Sequence, residues 1–157
     1  MAFSWSNYKG LDVFIDLARR LPHEYKIVMV GTNDAIDTIL PRNIISIHKT
    51  QNQTELATIY TAADLLINPT REDNFPTVNI EALACGTPVL TFNTNGSPEI
   101  IDNTCGLVVP YGDINMMESE IKRIVNEHPF AREACVERAK QYKRRDRYEE
   151  YITIYEC

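Results

Sequence analysis

The chain has 157 residues, 44% hydrophobic and 24% charged, with a net charge of -6, a balance that fits one globular domain burying roughly 70% of its unfolded surface. That charge excludes a sequence-independent nucleic-acid binder, which needs a basic face to displace phosphate counterions, so any phosphate recognition has to be local. There is no signal peptide and no long apolar run, and Cys85, Cys105, Cys135 and Cys157 stand singly without C-x-x-C spacing, as in a reduced, cytoplasmic protein.

Short apolar runs alternate with helix-period segments, the pattern of a parallel sheet wrapped by helices. Gly10 to Leu21 sets Leu11, Phe14, Ile15, Ala18 and Leu21 at helical spacing, and Tyr25 to Val30 reads as a buried strand closed by Gly31. Asp34 to Leu40 is a short helix before Pro41, Ile44 to Ile47 a strand, and Thr54 to Ala63 a helix with Thr54 as cap. Leu65 to Asn68 is the next strand. A helix from Pro76 to Gly86 follows, then strand Val89 to Phe92, a short helix opened by Ser97-Pro98-Glu99, and strand Leu107 to Val109. The remainder is helical. Asp113 to Glu127 is amphipathic, while Phe130 to Lys143 and Arg145 to Tyr155 are charged, the latter with Tyr148, Tyr151, Ile152 and Tyr155 as an apolar seam. The fold class expected is α/β: a Rossmann-like, doubly wound parallel sheet flanked by helices, with additional C-terminal helices.

The helix opened by Pro76 carries the chemistry. Glu81 is the single carboxylate among Val78, Ile80, Ala82, Leu83, Ala84 and Cys85, and apolar residues on nearly every face predict a helix covered on both sides. A charge in that setting needs a partner. Phe75, preceding a proline, is steered from helical angles and reads as the cap. The free N–H groups of Thr77 and Val78 then face beyond the sheet edge, where a helix N-terminus attracts phosphate.

Asp73, seven intervening residues and Glu81, running into Glu-Ala-Leu-Ala-Cys-Gly-Thr-Pro-Val, resembles the donor-binding signature of retaining GT-B glycosyltransferases of family 4 (glycosyl transferases group 1). Tyr8-Lys9-Gly10-Leu11-Asp12 resembles that family's K-G element, Tyr60-Thr-Ala-Ala-Asp64 its helix-to-strand junction, and Asn95-Gly-Ser-Pro-Glu99 its G-G-x-P-E loop. The resemblance covers the chain up to about Pro110. It implies one half of a GT-B fold, the domain that binds the donor nucleoside diphosphate sugar, with residues 1–157 a single domain lacking the N-terminal acceptor domain. It also implies three catalytic positions: Asp73 contacts the donor sugar, Glu81 holds the ribose hydroxyls, and Lys9 faces the diphosphate. The donor-binding set is Lys9, Gly31, Asp73, Phe75, Thr77, Val78 and Glu81. The donor is a UDP- or GDP-sugar, with base contacts expected from the main chain of His48 to Gln51. The acceptor is a glycan or lipid-linked glycan, as in polysaccharide biosynthesis, met through the missing domain.

Departures from the family pattern bear on specificity. Pro76 stands where glycine is frequent, so one backbone donor is lost. The first acid is Asp73 rather than glutamate, with Glu72 beside it as the alternative sugar contact. Phe3 occupies the position of a second phosphate-facing cation, leaving Lys9 alone. Only Met-Ala-Phe-Ser-Trp precedes the first helix, short for a central strand, which reads as a cut near the start of that strand. His23, His48 and His128 lie among polar neighbours and read as surface residues. The chain has no G-x-G-x-x-G, no P-loop and no D-x-D pair, so the reading includes no cofactor and no metal. The basic run Lys143-Arg-Arg-Asp-Arg147 reads as a solvated helix start, with lipid phosphate at the inner face of a membrane as its alternative partner. Two other functions stay open: a nucleotide-sugar epimerase of GT-B fold, and a nonenzymatic nucleotide-binding or interaction module.

Overall fold

The computed structural model describes residues 5–143. The expected helix from Arg145 to Tyr155, the basic run beyond Lys143, and Phe3 lie outside these residues. A single 3-10 turn, Asn7–Lys9, leads through Gly10 into α1 (Leu11–Arg20). There follow β1 (Ile27–Val30), α2 (Asp34–Asp37), β2 (Ile44–Ile47), α3 (Gln53–Ala62), β3 (Leu66–Asn68) and α4 (Thr77–Ala84). The described chain ends with β4 (Val89–Phe92), α5 (Ser97–Ile100), β5 (Gly106–Val109), α6 (Ile114–Glu127) and α7 (Arg132–Lys140).

All described pairings are parallel. β1 pairs with β2, and β3, β4 and β5 form a second sheet in that order. β4 is buried along its whole length, as expected of a central strand covered on both faces. One core joins the two sheets: Leu11, Phe14 and Leu17 of α1, Met29, Ile44, Leu90, Phe92 and Val109 of the strands, and Met117 and Ile121 of α6. A second core under α4 and α7 gathers Ala82, Leu83, Val89, Ile100, Cys105 and Cys135. The α/β architecture with helix-flanked parallel sheets is therefore the one expected from the sequence.

Four local expectations need correction. α3 is capped by Asn52, whose Oδ1 accepts from the Glu55 N–H at 2.9 Å, rather than by Thr54. Glu55 Oε2 accepts from the Gln51 N–H at 2.6 Å, so the cap is reciprocal and lies two residues before the one expected, with the helix starting at Gln53. Pro76, not Phe75, is the cap residue of α4: its ψ of 95° is extended, and helical angles begin at Thr77. α2 stops at Asp37 rather than Leu40. Most consequentially, α4 packs on α3, α5, α7 and the sheet but keeps one face open. It buries Asn79, Ala82 and Leu83, while Thr77, Val78, Glu81 and Ala84 line its open face at helical spacing.

Candidate donor site

In open parallel sheets, ligands sit beyond the carboxyl ends of the strands. At that edge, the loops after β3 and β4 meet the turn before α1. The Arg71 N–H donates to the Tyr8 carbonyl at 2.9 Å, and Thr70 Oγ1 donates to the same carbonyl at 3.2 Å. The Arg71 guanidinium donates to the Asn7 carbonyl and forks onto Asp12 at 2.8 and 2.6 Å. Asp12 holds its carboxyl below the ordinary range chiefly through that fork. Gly10 sits at φ 77° with no room for a side chain, because a Cβ there would lie 2.5 Å from Pro69 Cγ and 2.6 Å from its carbonyl oxygen. On the other flank, Thr94 Oγ1 donates to the Thr70 carbonyl at 3.0 Å. Gly96 packs so closely on Asn74 that a Cβ would come within 1.9 Å of its oxygen.

This clamp brings most of the expected residues together. Lys9 Nζ donates to Asp73 Oδ2 at 2.9 Å, with the side chains 40% and 24% exposed. The other Asp73 oxygen, Oδ1, accepts from the Phe75 N–H at 3.2 Å, fixing the turn that leads to α4. Asn79 is the first residue of α4 whose N–H returns to the chain, to the Pro76 carbonyl at 3.0 Å. No side chain caps the helix, so the N–H groups of Thr77 and Val78 stay available beside the ion pair. Phe75 stands at the rim, 44% exposed, edge-on to Tyr142 at 5.9 Å between ring centroids.

Glu81 differs from its expected setting. It is exposed rather than enclosed, and its Oε2 accepts from the Tyr60 hydroxyl at 3.2 Å. Burial, reinforced by the Glu81 carboxylate, holds the Tyr60 phenol well above its ordinary pKa, so the hydroxyl remains a donor. Gly31 is not joined to this group: it ends β1 in the other sheet, where its N–H donates to the Ile47 carbonyl at 2.8 Å. Glu72 is exposed. In the segment His48 to Gln51, the Gln51 N–H is already taken by Glu55.

Tyr60, Arg71 and Asp12 were not read as site residues. Tyr60 lies at the helix-to-strand junction, where no local pattern marks a site residue, and the Arg71–Asp12 fork spans 59 positions, beyond any local spacing rule. His48 is more engaged than a solvated residue. Its Nε2 lies 2.7 Å from Asp37 Oδ2, and the Asp37 bond is the main cause that raises the imidazole above its ordinary pKa. Asp34, Asp37 and His48 place one ligand atom each within 4.8 Å of one another, all exposed.

A family model described as glycosyl transferases group 1 matches residues 4–142. A D-inositol 3-phosphate glycosyltransferase of Mycobacterium sp. (strain KMS) is 27% identical over 145 residues, 83% of this chain and 33% of that protein. Among solved structures, sucrose-phosphate synthase from Thermosynechococcus elongatus aligns with a TM-score of 0.74 at 25% identity, covering 87% of this chain and 38% of that one. Anabaena HepE in complex with UDP-glucose aligns at 0.72 and 17% identity, covering 87% and 41%. The chain thus spans well under half the length of these relatives. No helix among the described residues is long and apolar enough to cross a membrane.

Proposed function

This chain belongs to the glycosyl transferases group 1 family, and from that premise we propose that it is the donor-binding part of a retaining, family 4 enzyme that uses a UDP- or GDP-sugar. One observation carries the reading: the Lys9–Asp73 pair is held at the turn that opens α4, whose first N–H groups are free, and Glu81 stands on the open face of the same helix. A diphosphate placed there meets the Lys9 ammonium and the Thr77 and Val78 N–H donors at the positive end of α4. Both aim at the oxygen on which charge develops as the nucleoside diphosphate leaves, which stabilises the transition state more than the ground state. Glu81, one turn along the helix, accepts from the ribose hydroxyls, and Asp73 from a hydroxyl of the sugar. The leaving group departs through an oxocarbenium-like state, and the acceptor hydroxyl attacks on the same face. No step calls for a metal. Groups on an N-terminal acceptor domain position a glycan or lipid-linked acceptor and exclude water.

In this reading the 157-residue chain binds donor but transfers no sugar by itself, because attack geometry and closure come from the second domain. The test is calorimetric titration with UDP-, GDP- and ADP-sugars, followed by radiolabelled transfer beside the full-length enzyme. Binding of one nucleotide series without turnover is expected. Failure to bind any of them, or turnover near the full-length rate, would overturn the assignment.

A further inference from the structure

We infer that Tyr60 is a positioning residue for ribose recognition. By holding the Glu81 carboxylate in place it lets that carboxylate distinguish ribonucleoside from 2′-deoxyribonucleoside diphosphates, an inference that rests on Glu81 holding the ribose. Glu81 is exposed on the open face of α4, where a glutamate has several rotamers to choose from and pays entropy to adopt one. Tyr60 limits that choice. Its hydroxyl reaches Glu81 Oε2 at 3.2 Å from the neighbouring helix, and its ring is packed against the core of Leu83 and Val89.

The backbone behind the ring is held as well. The Tyr60 carbonyl accepts from Thr87 Oγ1 at 2.5 Å and from the Ala63 N–H at 3.1 Å. Arg132 donates to the next carbonyl, Thr61, and to Cys85 at the end of α4, at 3.1 and 3.0 Å. α3 and α4 are therefore tied at their C-terminal ends, and the phenol cannot follow a wandering carboxylate. The single phenolic proton goes to one lone pair of Glu81 Oε2, which leaves the other lone pair of that oxygen and the whole of Oε1 as acceptors. Two acceptors side by side match two vicinal hydroxyl donors. A 2′-deoxy sugar offers one.

The experiment compares UDP with 2′-deoxy-UDP, or GDP with its 2′-deoxy form if the parent prefers guanine, in the parent, Tyr60→Phe, Glu81→Ala and the double variant. Tyr60→Phe keeps the ring and removes only the hydroxyl. It is expected to weaken the ribonucleotide about fivefold, the worth of one ordinary hydrogen bond, while leaving the deoxynucleotide within about twofold. The double variant should match Glu81→Ala alone, because a residue that acts through another adds nothing once that other is gone. Equal losses for both nucleotides in Tyr60→Phe would reveal a merely structural role and overturn this inference while Glu81 keeps its own. A parent that binds both forms equally, with no effect of Glu81→Ala, would instead overturn the ribose role of Glu81, and this inference with it.

Discussion

Asp73→Asn should move the affinities of two related ligands in opposite directions. The substitution keeps the shape and the Oδ1 acceptor for the Phe75 N–H, removing only the charge opposite Lys9. At 2.9 Å the bare Coulomb term is ~6 kcal/mol at an effective dielectric of about 20. With the side chains 40% and 24% exposed, however, the net worth of the pair falls toward the ~1 kcal/mol measured for exposed pairs. A diphosphate has to share or replace Asp73 as the partner of Lys9. Removing the carboxylate removes that competition and its repulsion of phosphate. A nucleoside diphosphate without a sugar should therefore bind about fivefold tighter.

The complete donor also loses the Asp73 contact to its sugar, ~1.5 to 3 kcal/mol for a hydrogen bond to a charged group. Set against a gain of ~1, it should bind ~2- to 30-fold more weakly. The assay is calorimetry with UDP and UDP-glucose, or the guanosine pair, at two salt concentrations. The gain for the diphosphate should shrink at high salt, because a half-exposed pair is screened. If Asp73→Asn weakens both ligands equally, the carboxylate is not the competitor of phosphate, and the division of labour between Lys9 and Asp73 is wrong.

Glu81→Ala should weaken nucleoside diphosphate binding by ~1.5 to 3 kcal/mol, while its melting free energy changes by ~1 kcal/mol or less, since the carboxylate is exposed and loses one hydrogen bond; unchanged affinity by calorimetry would contradict its role. Gly10→Ala forces a left-handed φ and a Cβ 2.5 Å from Pro69, so denaturant titration should show a loss of ~1 to 3 kcal/mol, and a variant as stable as the parent would rule out that close approach. The folded-state pKa of His48 lies above its ordinary 6.5, so its stabilising bond to Asp37 is complete below that pH and lost as pH rises through the raised value. An NMR titration midpoint at or below 6.5 would refute the pairing. Burial lifts the Cys135 thiol to about 11 and raises that of Cys105, so native-state alkylation followed by peptide mapping should label the partly exposed Cys85 well ahead of both.

Much of the fold was legible because β-branched runs bounded by glycine and proline leave little choice. Val89–Phe92 and Ile44–Ile47 are the strands expected, to the residue. The helix caps were less legible. Asn52 and Thr54 are both capable caps, and only the return contact of Glu55 to Gln51 selects the first. The enclosure of Glu81 was misread for a physical reason. An all-apolar stretch suggests cover on every face, yet Val78 remains 39% exposed, as surface apolar side chains often are. The Lys9–Asp73 meeting, 64 residues apart, followed from family resemblance and not from any spacing. The Arg71–Asp12 fork that underlies it had no local signal at all.

That fork explains why the proposed donor edge can be ready before a ligand arrives. The turn bearing Lys9 is tied to the end of β3 by three donors onto the Asn7 and Tyr8 carbonyls, and the Gly10–Pro69 contact leaves it no slack. Main-chain ordering is thus settled on folding rather than charged against binding. In the proposed reading only side-chain steps remain: Lys9 would swing from Asp73 toward phosphate, while Glu81, held by Tyr60, would exchange water for ribose. The ion pair is suited to that exchange because it is weak. A fully buried pair would resist separation by several kcal/mol, whereas an unpaired Lys9 would be open to any passing anion. In the proposed reading, a partly exposed partner holds the ammonium beside the turn that opens α4 and would yield it to a ligand carrying two phosphates.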